Sequence, residues 1–385
     1  MLEWLVIGAG VHGVHLGVHL RARGVPADAL RLLDPAPRPL AAWERRAAAT
    51  GMRYLRSPMV HHLDVDPFAL VRFAQGWRGA APFSPPYDRP AVALFSAHNA
   101  ALIGAHGLES VHTQARARAA RRVPGGWSVE TDRGALTARR LVLAMGGHDR
   151  LAVPGWAGRL VAGGADVRHV FDEGYQHPAP SADPRPWIVL GGGLSAVQTA
   201  LQLRARGLSA VLLSRHALRE RQFDSDPGWM GPRFLRGFEA TRDPAARRAL
   251  IAGARFRGSA PADALAALRA AEAAGGLEVH IAEHSASGAV PGGGLWLRAG
   301  DRTHAAAGLV LCTGVEAARP GGALVDGLVE GGLPCSACGF PLPNRGLEWA
   351  PGLHLMGPLA ELVVGPAARN IKGARIAAER IAACA

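Results

Sequence analysis

Glycines 8, 10 and 13 stand in the order Gly8-Ala9-Gly10-Val11-His12-Gly13, directly after the apolar run Leu5-Val6-Ile7 and directly before a helical pattern. This spacing lets a strand turn tightly into a helix, brings a pyrophosphate against bare backbone and permits close helix–strand packing. The phosphates then face the positive end of the helix. Asp34 closes the next apolar run, Leu30-Arg31-Leu32-Leu33, where an acid accepts hydrogen bonds from both ribose hydroxyls of a dinucleotide. The same device recurs at Ile188-Val189-Leu190 followed by Gly191-Gly192-Gly193-Leu194-Ser195-Ala196, with Ala196 in the third glycine's place. Here the following run, Ala210 to Ser214, ends at Arg215, and an arginine at that place pairs with a 2′-phosphate. The first turn is therefore read as one dinucleotide site and the second as a site for NADPH rather than NADH.

Other chemistry-bearing residues are less determined by their spacing. Arg56-Ser57-Pro58 offers a guanidinium and a hydroxyl before a fixed backbone, suited either to a cofactor edge or phosphate, or to a simple strand-ending turn. His61 and His62 follow it, and a core or surface place is the expectation for that pair. His12, His15 and His19 share one helical face, expected to serve helix packing and phosphate contact rather than a metal. Cys335-Ser336-Ala337-Cys338 has redox-dithiol spacing inside a Gly/Pro loop with no second pair to complete a zinc site, so a structural role is expected ahead of an active dithiol. No metal site is expected.

The elements that must position these residues follow from the apolar runs. Helices are expected from Trp43 to Thr50, from Ala91 to Gly104 and from Ala264 to Ala274, and a hairpin over Gly126 to Ala138. Two buried strands end in glycines: Leu141 to Gly147, and Gly308 to Gly314. They are read as the points where the chain leaves and re-enters a first domain. The expected organisation is a discontinuous first domain, 1–153 and 306–385, with a second dinucleotide-binding domain, 154–305, inserted into it. The segment 216–257 exceeds a minimal dinucleotide unit and is either a lid or substrate wall, or a solvated cap. The strand Gly352 to Pro358 and a helix opened by Gly365 to Ile371 complete the chain, with the helix N-terminus available to an electron-rich ring.

The 385 residues are 49% hydrophobic, ample for buried cores. The net charge of +12 comes almost wholly from scattered arginine, Lys372 being the one lysine. No basic run interleaved with aromatics suggests a nucleic-acid surface. Four cysteines do not make a disulfide scaffold, no apolar run reaches a bilayer span, and the first strand begins at residue 2. A soluble cytoplasmic protein is the expectation.

With both glycine turns, the Ala144-Met145-Gly146-Gly147 and Cys312-Thr313-Gly314 exits and the Gly357-Pro358 strand end in place, the chain resembles the flavoproteins with two dinucleotide-binding domains. Within them it is most similar to the class B flavin monooxygenases and the lysine/ornithine N-hydroxylase group. The resemblance implies an α/β fold of two Rossmann-like domains, FAD on the first and NADPH on the second. It implies hydride transfer to the flavin and oxygen addition at C4a. The resulting peroxyflavin would oxygenate a small nucleophilic or carbonyl substrate with O2, amine N-hydroxylation foremost. The alternative is an NADPH-dependent flavin oxidoreductase passing electrons to a disulfide, quinone or protein. The cofactor-contacting set is then Gly8, Gly10, Gly13, Asp34, Trp43, Arg56, Ser57, Gly146, Gly191, Gly193, Ser195, Ala196, Arg215, Gly314, Gly357 and Asn370. Arg56, His61 and Asp226 are the candidates for catalysis. The sequence departs from the resemblance at the family's F-x-G-x-x-x-H linker, echoed only by Val161-Ala162-Gly163 with a late His169.

Overall fold

The structure, a computed structural model, describes residues 1–384. Its first sheet runs Glu348–Ala350, Leu353–Leu355, Gly134–Leu143, Leu2–Ile7, Leu30–Asp34, His112–Gln114, with the hairpin Ala117–Val123/Gly126–Thr131 attached at Gly134–Leu143. Leu2–Ile7 pairs in parallel with Leu30–Asp34 and with Gly134–Leu143. Trp4, Leu5, Val6 and Ile7 are all buried, as a strand covered on both faces requires. The helices Val11–Ala22 and Ile371–Ala382 pack against each other, joining the two ends of the chain.

The second sheet is wholly parallel: Leu277–Ile281, Ala210–Ser214, Trp187–Leu190, Gly308–Leu311, Val167–His169. Its side chains alternate between faces. Val189, Leu212 and Val310 join the core under the helices Leu194–Ala205 and Ala262–Ala273. Ile188, Val211, Leu213, Leu309 and Leu311 join a second core beneath the antiparallel strands His284–Ala289, Leu295–Ala299 and Arg302–Ala306. The architecture is α/β with parallel sheets of the dinucleotide-binding kind.

Two local expectations change. Gly308–Leu311 lies between Trp187–Leu190 and Val167–His169, so it closes the second sheet instead of opening the return. The first sheet is re-entered only at Glu348–Ala350 and Leu353–Leu355, which pairs with Gly134–Leu143. Each glycine exit still follows a strand end, and the two exits meet: Leu151 and Val315 form an antiparallel bridge, and Ala152 N–H donates to Gly314 O at 3.0 Å. The chain around Arg56 is a bend with a single bridge, Tyr54 to Ala91, rather than a strand. Residues 82–90 carry a minimal hairpin, Phe83–Ser84 with Arg89–Pro90.

Segment 216–257 is no solvated cap. Its helices Pro232–Ala240 and Pro244–Ala254 bury Phe238 and Ile251 against Phe340 and Leu362 of the C-terminal region. Arg247 Nη1 donates to Leu362 O at 2.8 Å. Glu361, 1% exposed, is gripped by Arg248 and, through Nε and Nη2 at 2.7 and 3.2 Å, by Arg369. The segment thus ties the second sheet's side of the molecule to the C-terminal loops.

Candidate functional site

At the first turn Gly8 has φ +109°, and a Cβ there would stand 2.6 Å from Ala144 O, so only glycine fits. A Cβ on Gly13 would run into Gly8 O, which is how the helix comes down tightly on the strand. Gly10 differs: its backbone is extended, φ −76°, and a Cβ would meet nothing within 4 Å. The helix Val11–Ala22 that it caps has no side-chain cap and no acid in its first turn. Open space over uncapped N–H groups is a cradle for a phosphate. Asp34 is fixed beside it, Oδ2 accepting from Ala9 N–H at 2.7 Å and Oδ1 from Ala36 N–H at 2.8 Å. Each carboxylate oxygen retains a lone pair for a ribose hydroxyl. These residues fit a dinucleotide.

The C-terminal loop closes against this turn. His12 Nε2 contacts Ala368 O at 2.9 Å, and a Cβ on Gly357 would lie 3.6 Å from the His12 ring. Burial holds His12 at a pKa of about 4, so it is neutral at pH 7. Asn370 caps the helix Ile371–Ala382 by accepting from Gly373 N–H at 2.9 Å, which brings that helix N-terminus to the same region. Trp43 sits on the helix Ala41–Thr50 with its ring 5.1 Å from Phe95, packed on the first core.

The second turn is built alike but filled differently. A Cβ on Gly191 would stand 2.7 Å from Cys312 O, and Ala196, fully buried, takes the third position. The helix Leu194–Ala205 starts at Gly193, again without a side-chain cap, with Ser195 in its first turn. A Cβ on Gly193 would meet Gly258 Cα at 3.4 Å, and one on Gly258 would meet His216 Nε2 at 2.7 Å. His216 and Gly258 therefore form the floor of this turn. Arg215, at the end of Ala210–Ser214, is exposed and makes no hydrogen bond or ion pair among the described residues. Its guanidinium is available to an anion.

Several sequence candidates are occupied by the protein itself. Arg56 points across to residues 221–223: Nε donates to Gln222 O at 2.7 Å, and Nη2 reaches Arg221 O, Phe223 O and Ser259 Oγ at 2.7, 2.8 and 2.9 Å. Its Nε and Nη2 are thus engaged in an inter-sheet tie, while Nη1 makes no hydrogen bond among the described residues. Ser57 lies half-buried next to it. Asp226 caps the short turn Pro227–Met230 by accepting from Gly228 N–H at 2.7 Å, a local structural task. His61 is held at a pKa of about 4 by burial and then by Lys372 and Arg375. His62 is wholly buried, its ring nitrogens 3.0 Å from Pro67 O and 3.2 Å from Asp64 N. Gly146 and Gly314 lie on the two paired exits.

His148, just beyond Gly146-Gly147, escaped the sequence reading. Its ring is 5.7 Å from Phe171, and desolvation, followed by the nearby Arg46, Arg369 and His169, brings its pKa to about 4. It therefore marks where the Ala41–Thr50 helix, the C-terminal loop and the second sheet converge. The glycine pair before it was the available signal. Among the described residues no group of three or more His, Cys, Asp or Glu is arranged to hold a metal ion. Cys335 and Cys338 are free thiols in a loop beside Arg248, which lies 3.9 Å over the Phe340 ring. Among the described residues no helix is long and apolar enough to cross a membrane.

Residues 5–148 match the FAD-NAD(P)-binding family model. No curated protein sequence matches the chain. Among solved structures the chain is similar to the ornithine N-hydroxylase of Kutzneria sp. 744, in a structure with reduced FAD, NADP+ and L-ornithine. That likeness has 15% identity, 100% of this chain and 98% of that one, and a TM-score of 0.74. It is similar to the flavin-containing monooxygenase of Stenotrophomonas maltophilia at 20% identity, 100% and 99% coverage and a TM-score of 0.61. The bacillithiol disulfide reductase of Bacillus cereus gives 16% identity, 100% and 98% coverage and a TM-score of 0.60. The fold is that of flavoproteins with two dinucleotide-binding sheets.

Proposed function

We propose that this chain is an FAD-dependent, NADPH-consuming monooxygenase that transfers one oxygen atom of O2 to a small nucleophilic or carbonyl substrate, with amine N-hydroxylation the leading case. The other oxygen atom leaves as water, with NADPH supplying the two electrons. The observation that carries the reading is the pair of uncapped glycine turns, each after a strand paired in parallel on both sides, one followed by a fixed Asp34 and the other by an Arg215 with no partner among the described residues. The full-length likeness to an ornithine N-hydroxylase supports it, with a higher TM-score than the likeness to the disulfide reductase.

In this reading the first unit, residues 1–153 with the C-terminal portion after the second sheet's last strand, holds FAD, and the intervening unit holds NADPH. The backbone at Gly8, Gly10 and Gly13 and the Val11–Ala22 N-terminus take the FAD pyrophosphate, and Asp34 takes its ribose. Gly191, Gly193 and Ser195 with the Leu194–Ala205 N-terminus take the NADPH pyrophosphate, and Arg215 reads the 2′-phosphate. Gly357 and Asn370 bring the C-terminal helix dipole to the flavin side. The bound flavin supplies hydride acceptance and oxygen activation. The protein's part is to orient the two cofactors and exclude water.

The test is anaerobic reduction of the FAD-loaded protein with NADPH, then rapid mixing with oxygen and observation of the flavin spectrum. A long-lived species distinct from reduced and oxidised flavin supports the monooxygenase. Direct return to oxidised flavin with stoichiometric hydrogen peroxide counts against it and in favour of the electron-transferring alternative.

A further inference from the structure

Arg56 is the most heavily bonded arginine at the contact between the two sheets. All four of its contacts fall on residues 221–223 and 259, in the second unit. The grip is returned, Gln222 Nε2 donating to Arg56 O at 3.5 Å. Arg89 makes a second tie nearby. It is 3% exposed, donates to Ser84 Oγ at 2.9 Å in its own unit, and reaches Asp263 Oδ2 at 2.6 Å on the helix Ala262–Ala273. The segment 259–263 is thus held at both ends by arginines of the first unit.

What that segment adjoins gives the ties a consequence. Ser259–Ala260 pairs in parallel with Arg219–Glu220, and Arg221 N–H donates to Ala260 O at 2.9 Å, so both gripped stretches form one small platform. Gly258, the residue before it, lies under the second glycine turn: a Cβ on Gly193 would stand 3.4 Å from Gly258 Cα, and one on Gly258 would stand 2.7 Å from His216 Nε2. Arg56 is therefore connected through Ser259 and Gly258 to the backbone that would carry a nicotinamide dinucleotide. The guanidinium emerges from the bend that precedes His61, on the unit carrying the first turn.

We propose that Arg56 is a positioning residue: by clamping the 219–223/259–260 platform to the first unit, it registers a dinucleotide on the second turn against the flavin on the first. This rests on the function proposed above. The clamp uses a planar fork reaching three successive carbonyls and a hydroxyl, a geometry that lysine reproduces only in part. Misplacement of about 1 Å costs up to roughly a hundredfold in rate when reacting atoms must be aligned, while the contacts that set affinity remain on the turn itself.

The experiment compares wild type, Arg56→Met and Arg56→Lys as full-length, FAD-loaded proteins. Amide hydrogen exchange without nucleotide should accelerate about tenfold or more at 216–223 and 256–263 in Arg56→Met, and less in Arg56→Lys, with Trp187–Leu190 unchanged. The limiting rate of anaerobic flavin reduction at saturating NADPH should fall about tenfold or more, with the NADP+ dissociation constant within about threefold of wild type. The charge-transfer absorbance of reduced flavin with NADP+ should weaken in parallel. Unchanged exchange, or accelerated exchange with an unchanged limiting rate, overturns the proposal. So does acceleration across the whole second sheet with rate and affinity lost together, because Arg56 would then be a general stabiliser. Should Arg56→Met fail to fold, Ser259→Ala removes one of the four contacts and must shift the same readouts in the same direction. Wild-type flavin that NADPH does not reduce sinks the functional reading itself, an outcome distinct from a variant that behaves like a working wild type.

Discussion

Gly10 and Arg215 are the residues at which ligand chemistry separates most cleanly from folding. A Cβ on Gly10 meets nothing and its φ of −76° suits any side chain, so Gly10→Val should melt as wild-type apoprotein does. In the proposed reading the isopropyl group would nevertheless stand where the FAD pyrophosphate approaches, and the purified variant should lack yellow colour. Flavin content equal to wild type, read from absorbance after denaturation, would show that the first turn is not the FAD site. Gly13→Ala is the contrast, because its methyl collides with Gly8 O and must push helix from strand. Arg215 answers a different question. It is exposed and unpaired, so Arg215→Glu should leave the fold intact and raise KM for NADPH by about tenfold or more, with KM for NADH little changed. Equal losses for both nucleotides would show that Arg215 does not read the 2′-phosphate.

At the scale of elements, the helix Val11–Ala22 has an unusual inner face. His15 and His19 contact each other at 3.2 Å, and His62, His98, Asp64 and Arg375 pack nearby. Burial lowers His15 well below 6.5 and brings His19 and His98 to about 4, with neighbouring cations and histidines adding to the shift. The unfolded chain takes up these protons near pH 6.5 while the fold refuses them until about 4. Stability is therefore full above pH 6.5 and is lost progressively as the pH falls from 6.5 towards 4. Urea midpoints measured from pH 7.5 to 4.5 should drop steeply, and His98→Leu should flatten the curve. A midpoint constant down to pH 5 contradicts the buried neutral histidines. Strands, turns and the Asp34 and Arg215 positions were legible in the sequence because each is set by neighbours within one strand–turn–helix unit. The histidine face was legible as spacing, but its partners come from other helices and loops. The partners of Arg56, and the docking of Phe238 and Ile251 on Phe340 and Leu362, join residues far apart in the chain, and no local pattern announces them. The place of Gly308–Leu311 is hidden for a related reason: an apolar strand ending in glycine reads the same in either sheet.

Over the whole molecule, the two large sheets are joined by a pair of antiparallel exits, by the Arg56 and Arg89 ties, and by the 216–257 segment folded back onto the C-terminal loops. Glu361 is central to the last of these, since it is buried and neutralises Arg248 and Arg369 together. Removing it strands two desolvated guanidiniums, so Glu361→Ala should cost about 3 kcal/mol or more in denaturant unfolding. A loss under about 1 kcal/mol would place that network among the inconsequential surface pairs. The same region decides between the two chemistries. Cys335 and Cys338 lie in the loop against which the 216–257 segment docks, with Ser336 Oγ 3.0 Å from Cys338 Sγ and Phe340 under Arg248. Their surroundings are thus a structural seam between the insert and the C-terminal region. A dithiol relay from the flavin would require both sulfurs at every turnover, whereas oxygen transfer requires neither. Replacing both by serine should accordingly leave NADPH consumption in air unchanged. Loss of that consumption, with FAD content and melting temperature preserved, would make the thiol pair the electron exit and turn the molecule into a reductase.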